Sequence, residues 1–297
     1  MSATLGVVIP THNRGAWVAE CVESVLAQTR VADAVIVVDD GSTDHTTSTL
    51  AGFGNAIAVE RQAQAGPAAA KNRGVRRSTS DWIVFVDSDD RLERHALETI
   101  ERTIGERPDH ELLSFRARET TADGLPTGRV FGKQSSGTDY TTAGLLRYDA
   151  GGCSWFAVRR CALDAIGGFD EALRSAEECD LVLRLSRRHR LSAIPEALIL
   201  RRQHEGMLSS DKELNARCWL RILERMRKER PDWVHTNRAV FHRSWSKEHL
   251  RLAKALLASD DRAALAEATQ ALRIATSYRP FHISSWVYRA RARLLGR

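Results

Sequence analysis

Trp82-Ile83-Val84-Phe85-Val86-Asp87-Ser88-Asp89-Asp90 is a run of five apolar residues that ends abruptly in four polar ones. A run so short and so rich in β-branched and aromatic side chains predicts a strand buried on both faces. The pattern recurs upstream. Residues 34–38 are a second such run, ending in Asp39-Asp40-Gly41-Ser42, and residues 5–9 are a third, closed by Pro10. Residues 57–59 supply a further short candidate. Between these runs lie helical patterns. Residues 16–28 carry Val18, Val22, Val25 and Leu26 at helical spacing, Pro67 opens an Ala-rich helix through Val75, and another helix is expected over 93–104. Strands alternating with helices predict an open, mostly parallel α/β sheet flanked by helices. Ligands of such sheets bind beyond the carboxyl ends of the strands, where both acidic clusters fall.

Further along, residues 119–150 are rich in Thr, Gly and Ser and read as a loop or partly ordered insertion. Regular structure is expected again over 154–158, in a helix over 178–188 and in a last strand over 194–200. Past Ser210 the character becomes helical, with Trp219, Ile222, Leu223 and Met226 on one helix and Leu250, Ala253, Leu256 and Leu257 on another. Residues 263–275 and 283–295 would complete a helical C-terminal extension. The expected division is therefore 1–210 and 211–297.

The 297 residues suffice for a large core, and 43% hydrophobic with 28% charged residues is a globular balance. No apolar run approaches the ~20 residues that span a bilayer, and residues 1–5 lack the features of a signal peptide. A cytoplasmic protein is expected. The five cysteines contain no CxxC pair, so neither a zinc site nor a disulfide framework is signalled. The net charge of +6 is uneven. Residues 211–297 hold 19 basic and 9 acidic groups, and the remaining 210 residues hold 25 and 29. Such a segment suits an acidic phosphate partner, a nucleic acid or an anionic membrane, or else it is a helical tail with solvated arginines; nucleic acid is not expected, because no recognisable binding module accompanies the charge.

Two carboxylates spaced i, i+2 at a strand end, Asp87 and Asp89, can share one hard divalent cation that also binds phosphate oxygens. The plain alternative is helix capping by Asp and Ser. Asp39 at the end of its own strand can accept the imide N–H of uracil or thymine, or a ribose hydroxyl, with Gly41 allowing close backbone approach.

These stretches together carry a resemblance. Val7-Val8-Ile9-Pro10-Thr11-His12-Asn13-Arg14 resembles the "IIPTYNR" signature of family 2 glycosyltransferases, and Val37–Asp44 matches their "VVDDGSTD". Gly66–Gly74 is similar to "GxxxARNxG", Phe85–Asp90 to "FLDSDD", Gly167–Glu171 to "GGFDE", and Ala176–Leu181 to "AEDxDL". Six motifs in family order cover residues 5–205. The resemblance implies a GT-A fold and an inverting hexosyltransferase that moves a sugar from a nucleotide-sugar, UDP-sugar favoured, to an acceptor hydroxyl.

It also implies residue roles. Pro10, Thr11, Asn13, Asp39 and Asp40 would hold the nucleobase side, and Asp87 and Ser88 the ribose and diphosphate. Asp89 and Asp87 would bind Mn²⁺ or Mg²⁺, with His204 as a further ligand. Lys71 would face phosphate where the family usually has Arg, and so would lack the planar bidentate fork. Glu178 stands at the family's base position, usually Asp, and would take the acceptor's proton, with Glu177 as the competing candidate. Trp155 would line the acceptor side by stacking on a sugar, unless it is a core residue.

Many relatives act on lipid-linked acceptors. Cell-surface polysaccharide or glycolipid synthesis, with the basic tail touching an anionic membrane, is the context this implies. A protein on the same fold that binds nucleotide-sugars without catalysis is the alternative. A nucleotidyltransferase would need a Gly-rich loop after the first strand, and Pro10-Thr11-His12-Asn13 is not one.

Overall fold

The computed structural model describes residues 3–132, 140–147, 155–207, 210–258 and 262–278. They fall into two compact units, one drawn from residues 1–142 and 150–205, the other from 143–149 and 206–297. Cys153, Trp286, Tyr288, Leu294 and the arginines from Arg279 onward, with the helix expected over 283–295, lie outside the described residues.

The first unit opens with β1 (Leu5–Thr11), α1 (Val18–Leu26), β2 (Ala34–Asp39), α2 (Thr46–Ala51), β3 (Ala58–Arg61), α3 (Pro67–Arg77) and β4 (Trp82–Phe85). These four strands form the parallel half of the sheet in the order β3-β2-β1-β4. β1 and β4 are apolar along nearly their whole length because helices cover both faces. α1 buries Val18, Cys21, Val22 and Val25, the stripe its spacing announces. α3 starts at Pro67 after Gly66 and buries Ala68, Ala69 and Ala70, the last packed on Ile36 and Val38 of β2. Small residues let it come very close to β1. A Cβ at Gly74 would sit 2.3 Å from Val8 Cγ1.

The chain continues through β5 (Arg91–Leu92), α4 (Ala96–Glu106), β6 (Leu112–Thr120), β7 (Pro126–Phe131), α5 (Thr142–Arg147), β8 (Phe156–Arg159), α6 (Arg160–Ala165), α7 (Glu177–Leu185) and β9 (Leu191–Arg202). Past β4 the sheet is mixed, in the order β4-β8-β6-β9-β5. β8 is antiparallel to β4 and to β6, whereas β6 and β9 are parallel. β6 is a long inner strand, and β7 folds back on it as a hairpin. The 119–150 segment thus contributes the end of β6, β7 and α5 in addition to loop. Its exposed β7 carries no apolar alternation, because one neighbour strand supplies its backbone partners and solvent takes its side chains.

The second unit takes in α5, all but its first residue, and contains α8 (Lys212–Glu229), α9 (Pro231–Thr236), α10 (Arg238–Leu256) and α11 (Arg262–Tyr278). Ala216 of α8, Leu250, Leu252, Ala253 and Leu256 of α10, and Ala268, Ala271, Leu272 and Ala275 of α11 make its core. Asp211 caps α8, accepting the Leu214 N–H at 2.9 Å. Arg217 bridges α8 to α11 through both oxygens of Glu267 at 2.7 and 2.8 Å. No helix among the described residues is long and apolar enough to cross a membrane.

Candidate active site

The carboxyl ends of β1, β2 and β4 lie side by side, with Thr11 opposite Asp39 in register. Asp39 is fully buried. One carboxylate oxygen accepts the Ser42 N–H at 2.8 Å and the other the Thr47 hydroxyl at 3.0 Å. Asp40 accepts from the Gln62 amide, the Ala65 N–H and the Gly66 N–H, each at 2.8 Å. It therefore clamps the loop that leads into α3. Asn13, at φ +52, accepts the Thr43 N–H at 2.8 Å and ties the loop after β1 to the loop after β2. His12 joins the same network by donating from Nδ1 to the Asp40 carbonyl at 2.9 Å. The Thr11 hydroxyl is buried and has no hydrogen-bond partner among the described residues.

Beyond β4, Asp87, Asp89 and Asp90 bring carboxylate oxygens within 4.8 Å of one another. Ser88 is buried between them in sequence. Asp89 accepts from Arg14 Nε at 3.3 Å and faces His204 Nε2 at 2.9 Å. Arg202 braces the same turn, with its N–H on the Asp90 carboxylate at 2.9 Å and its Nε on the Asp89 carbonyl at 3.1 Å. The Trp17 ring lies 4.2 Å from the His204 ring, with the guanidinium carbons of Arg14 and Arg202 each 5.7 Å from its centroid. Burial, then the charges of Asp89 and Asp87, push the Asp90 carboxyl well up. Asp87 opens to solvent yet lies deep among protein atoms. That desolvation, with Asp89 and Glu177 nearby, raises its carboxyl against the pull of Lys71. Three crowded carboxylates, plus one imidazole, are a donor set suited to Mg²⁺ or Mn²⁺, whose charge would offset their mutual repulsion. Asp87 and Asp89 fit such an ion best, because Asp90 is turned to the Arg202 backbone.

Glu177 and Glu178 are the first two residues of α7, where unpaired helix N–H groups favour negative charge. Two anchors hold this helix start. Arg184, paired to Asp180 at 2.8 Å, donates to the Ile166 and Gly168 carbonyls at 2.9 and 2.6 Å. Asn72 of α3 accepts the Phe169 N–H at 2.9 Å and donates to the Phe169 carbonyl at 3.0 Å. Gly168, at φ +72, passes so close that a Cβ there would lie 2.6 Å from the Asn72 side-chain oxygen. The chain enters α7 through Ala176 at φ +60, a left-handed conformation that costs a non-glycine residue ~1–2 kcal/mol.

Lys71 is 1% exposed. Its ammonium meets Glu177 at 2.9 Å, bonds Glu178 as well, and lies 5.6 Å from the Phe169 ring centroid. The structure thus places Lys71 on the two glutamates rather than open toward a phosphate. Burial opposes the charge on Glu177, but the Lys71 ammonium overcomes it and holds that carboxyl below its ordinary range. For Glu178, burial and the charges of Glu177 and Asp87 prevail over Lys71, and its carboxyl is pushed up to about 8.

Trp155 departs from the acceptor-side expectation. It is 7% exposed and belongs to the sheet's apolar core with Leu113, Phe115 and Ala157, so its ring offers no open face to a sugar. The sequence assigns no role to Arg14, Trp17 or Arg202. Arg14 and Arg202 meet at Asp89, from 75 and 113 positions away, and Trp17 meets His204, and no local spacing encodes these contacts.

The glycosyl transferase family 2 model matches residues 6–164. Glycosyltransferase GlyG of Streptococcus pneumoniae is 38% identical over 111 residues, 36% of this chain and 37% of that protein. An uncharacterized glycosyltransferase of Haemophilus influenzae is 28% identical over 183 residues, 61% of each chain. The chain therefore spans between about a third and three fifths of the length of these relatives. Among solved structures, Staphylococcus aureus TarS 1–349 in complex with UDP-GlcNAc superposes with a TM-score of 0.69 at 18% identity, covering 99% of this chain and 90% of that one. The mannosyltransferase PcManGT from Pyrobaculum calidifontis, in complex with GDP-Man and Mn²⁺, gives 0.58 at 17% identity over 100% and 87%. At these identities the likeness shows the fold, which is of the GT-A type.

Proposed function

The chain belongs to glycosyl transferase family 2, and from that premise we propose that it is an inverting, metal-dependent transferase that moves a sugar from a UDP-sugar to an acceptor hydroxyl. The observation that carries this reading is the closeness of two acidic groups of different character. Asp87 of the three-aspartate cluster lies near enough to Glu178 to push against its charge, which puts a candidate base beside a candidate cation site.

In this reading Glu178 accepts the acceptor's hydroxyl proton as that oxygen attacks the anomeric carbon. The new C–O bond forms as the bond to the nucleoside diphosphate breaks on the opposite face, so configuration inverts. Asp87 and Asp89, with His204, would hold Mn²⁺ or Mg²⁺, whose positive charge offsets the negative charge growing on the departing diphosphate. Glu177 stays ionised on Lys71. In this reading Thr11 and Asp39, paired across β1 and β2, would meet the nucleobase once the buried Asp39 carboxylate opens from Ser42 and Thr47, with Pro10, Asn13 and Asp40 in the surrounding loops. TarS was solved with UDP-GlcNAc and PcManGT with GDP-Man, and a strand-end carboxylate reading an imide N–H favours uracil. The acceptor would be a saccharide or lipid-linked intermediate of surface polysaccharide or glycolipid synthesis, met at the cytoplasmic face of a membrane.

A thermal-shift panel of nucleotides, each with and without Mn²⁺, tests the donor side. A ligand at 100 times its dissociation constant stabilises by ~2.7 kcal/mol, a readable shift. UDP is expected to shift the melt most, then dTDP, then GDP, and the UDP shift should need the metal and vanish in Asp89→Asn. Stabilisation by GDP alone would overturn the uracil assignment. No shift with any nucleotide, in folded protein, would overturn the donor site.

A further inference from the structure

Behind the cleft, two carboxylates and one ammonium share a space with little water. Lys71, from α3, contacts Glu177 and Glu178 of α7 at once, and the Phe169 ring lies on the ammonium's flank. Asp87, from the turn after β4, adds negative charge toward the same group. One ammonium neutralises one buried acid, not two, and an unpaired buried charge is costly. One of the two glutamates must therefore hold a proton more readily than the other.

Accessibility decides which of the two can exchange that proton with a reactant. The Glu177 side chain is 5% exposed and shut in with Lys71, while that of Glu178 is 16% exposed and keeps an opening to the cleft. We propose that Lys71 is a positioning residue that divides this acidic pair, closing a neutral couple with Glu177 and holding Glu178 at the cleft edge as the one carboxylate that exchanges a proton. The proposal rests on Glu178 being the base.

The identity of the residue matters. A compact ammonium directs three donors from a single point and can serve two acceptors on one helix turn, whereas a guanidinium spreads its donors over a rigid plane. Lysine here and glutamate at the base position then make one coupled arrangement. The added methylene of Glu178 lets its carboxylate share the ammonium that Glu177 already holds. The groups that act on Glu178 come from each neighbouring element, namely Glu177 on its own helix, Lys71 on α3 and Asp87 beyond β4. The titration directions agree with this division, Glu177 held down and Glu178 raised.

The test needs neither donor nor acceptor. In the full chain labelled with ¹³C at the glutamate side-chain carboxyl, the Glu178 resonance is identified by its loss in Glu178→Gln, and its midpoint is followed by NMR. In Glu177→Gln the ammonium serves Glu178 alone, so the midpoint should fall by about one unit or more. In Lys71→Met it should rise by a similar amount, and Lys71→Arg should return it only in part. If Lys71→Met does not fold, Glu177→Gln, which removes a charge and keeps the lysine, carries the test with Lys71→Arg. An unmoved or raised midpoint in Glu177→Gln overturns the proposal. Full turnover by Glu178→Gln would instead remove the base assignment and leave the titration result standing.

Discussion

Glu178 resists its own charge, and this fixes how activity and stability depend on pH. A base must be ionised to work, so transfer is expected to rise with pH through about 8. Stability runs the other way. The folded carboxyl binds its proton more tightly than the unfolded one does, from the ordinary 4.5 up to about 8. The stability this group contributes is therefore full below 4.5 and is lost as pH rises through 8. Glu178→Gln keeps the shape of the protonated acid. It should lower turnover by roughly 10²–10⁴ and flatten the fall in melting temperature between pH 5 and 9, and melts across that range check the second effect. Asn72 permits a simpler measurement. Asn72→Ala leaves the buried Phe169 N–H and carbonyl without their partner, which should cost ~1–3 kcal/mol in denaturant unfolding. At this scale the acids were legible in sequence, because a strand end fixes where Asp39, Asp87 and Asp89 must lie. Trp155 was not, since aromatic spacing says nothing about whether a ring meets core or ligand. Lys71 was legible as a cation but not in its partners, which come from a helix a hundred residues away.

Elements were legible where one period dominates. β1, β2, β4, α1 and α3 read directly from apolar runs and stripes. β6 escaped notice although it is an inner strand, because Arg116 and Arg118 interrupt its apolar run toward the sheet's polar end. β7 escaped because a hairpin arm exposed to solvent needs no hydrophobic pattern. The close approach of α3 to β1 is the element-scale feature most open to test. An alanine at position 74 would gain ~1 kcal/mol of helix propensity, but its Cβ would lie 2.3 Å from Val8 Cγ1. Val8 cannot yield, since β1 is paired on both sides. Gly74→Ala should therefore destabilise by a net of up to ~2 kcal/mol, the ordinary penalty of overpacking less the propensity gain. Val8→Ala would make room. In the double variant, Gly74→Ala should cost little or even stabilise relative to Val8→Ala alone, so a double-mutant cycle in urea should give a clear favourable coupling. Additive effects would mean that α3 relaxes away from β1 instead.

Across the whole molecule the charge is divided as the sequence shows, with residues 211–297 at 19 basic against 9 acidic groups. Many of those acids sit in ion pairs. Glu213 and Glu267 meet Arg217, Glu224 meets Arg227, and Glu248 meets Arg251. Each such pair is neutral at a distance, so pairing does not diminish the net positive field of the segment, which extends about one Debye length, ~10 Å at 0.1 M salt. Basic residues near an anionic bilayer contribute about 1 kcal/mol each, and this attraction is screened by salt. No helix among the described residues is long and apolar enough to cross a membrane. From this charge the full chain is expected to co-sediment with phosphatidylserine-containing vesicles at ~50 mM salt, to release at ~500 mM, and to ignore vesicles of phosphatidylcholine alone. Replacing Arg289, Arg291, Arg293 and Arg297 with glutamine should weaken binding at low salt by an order of magnitude or more, since each would forfeit part of that attraction. Binding that survived 500 mM salt would mean that apolar side chains such as Trp286 and Leu294 insert into the interface. Absence of binding at 50 mM would leave the plainer reading, a solvated or dimer-forming helical segment.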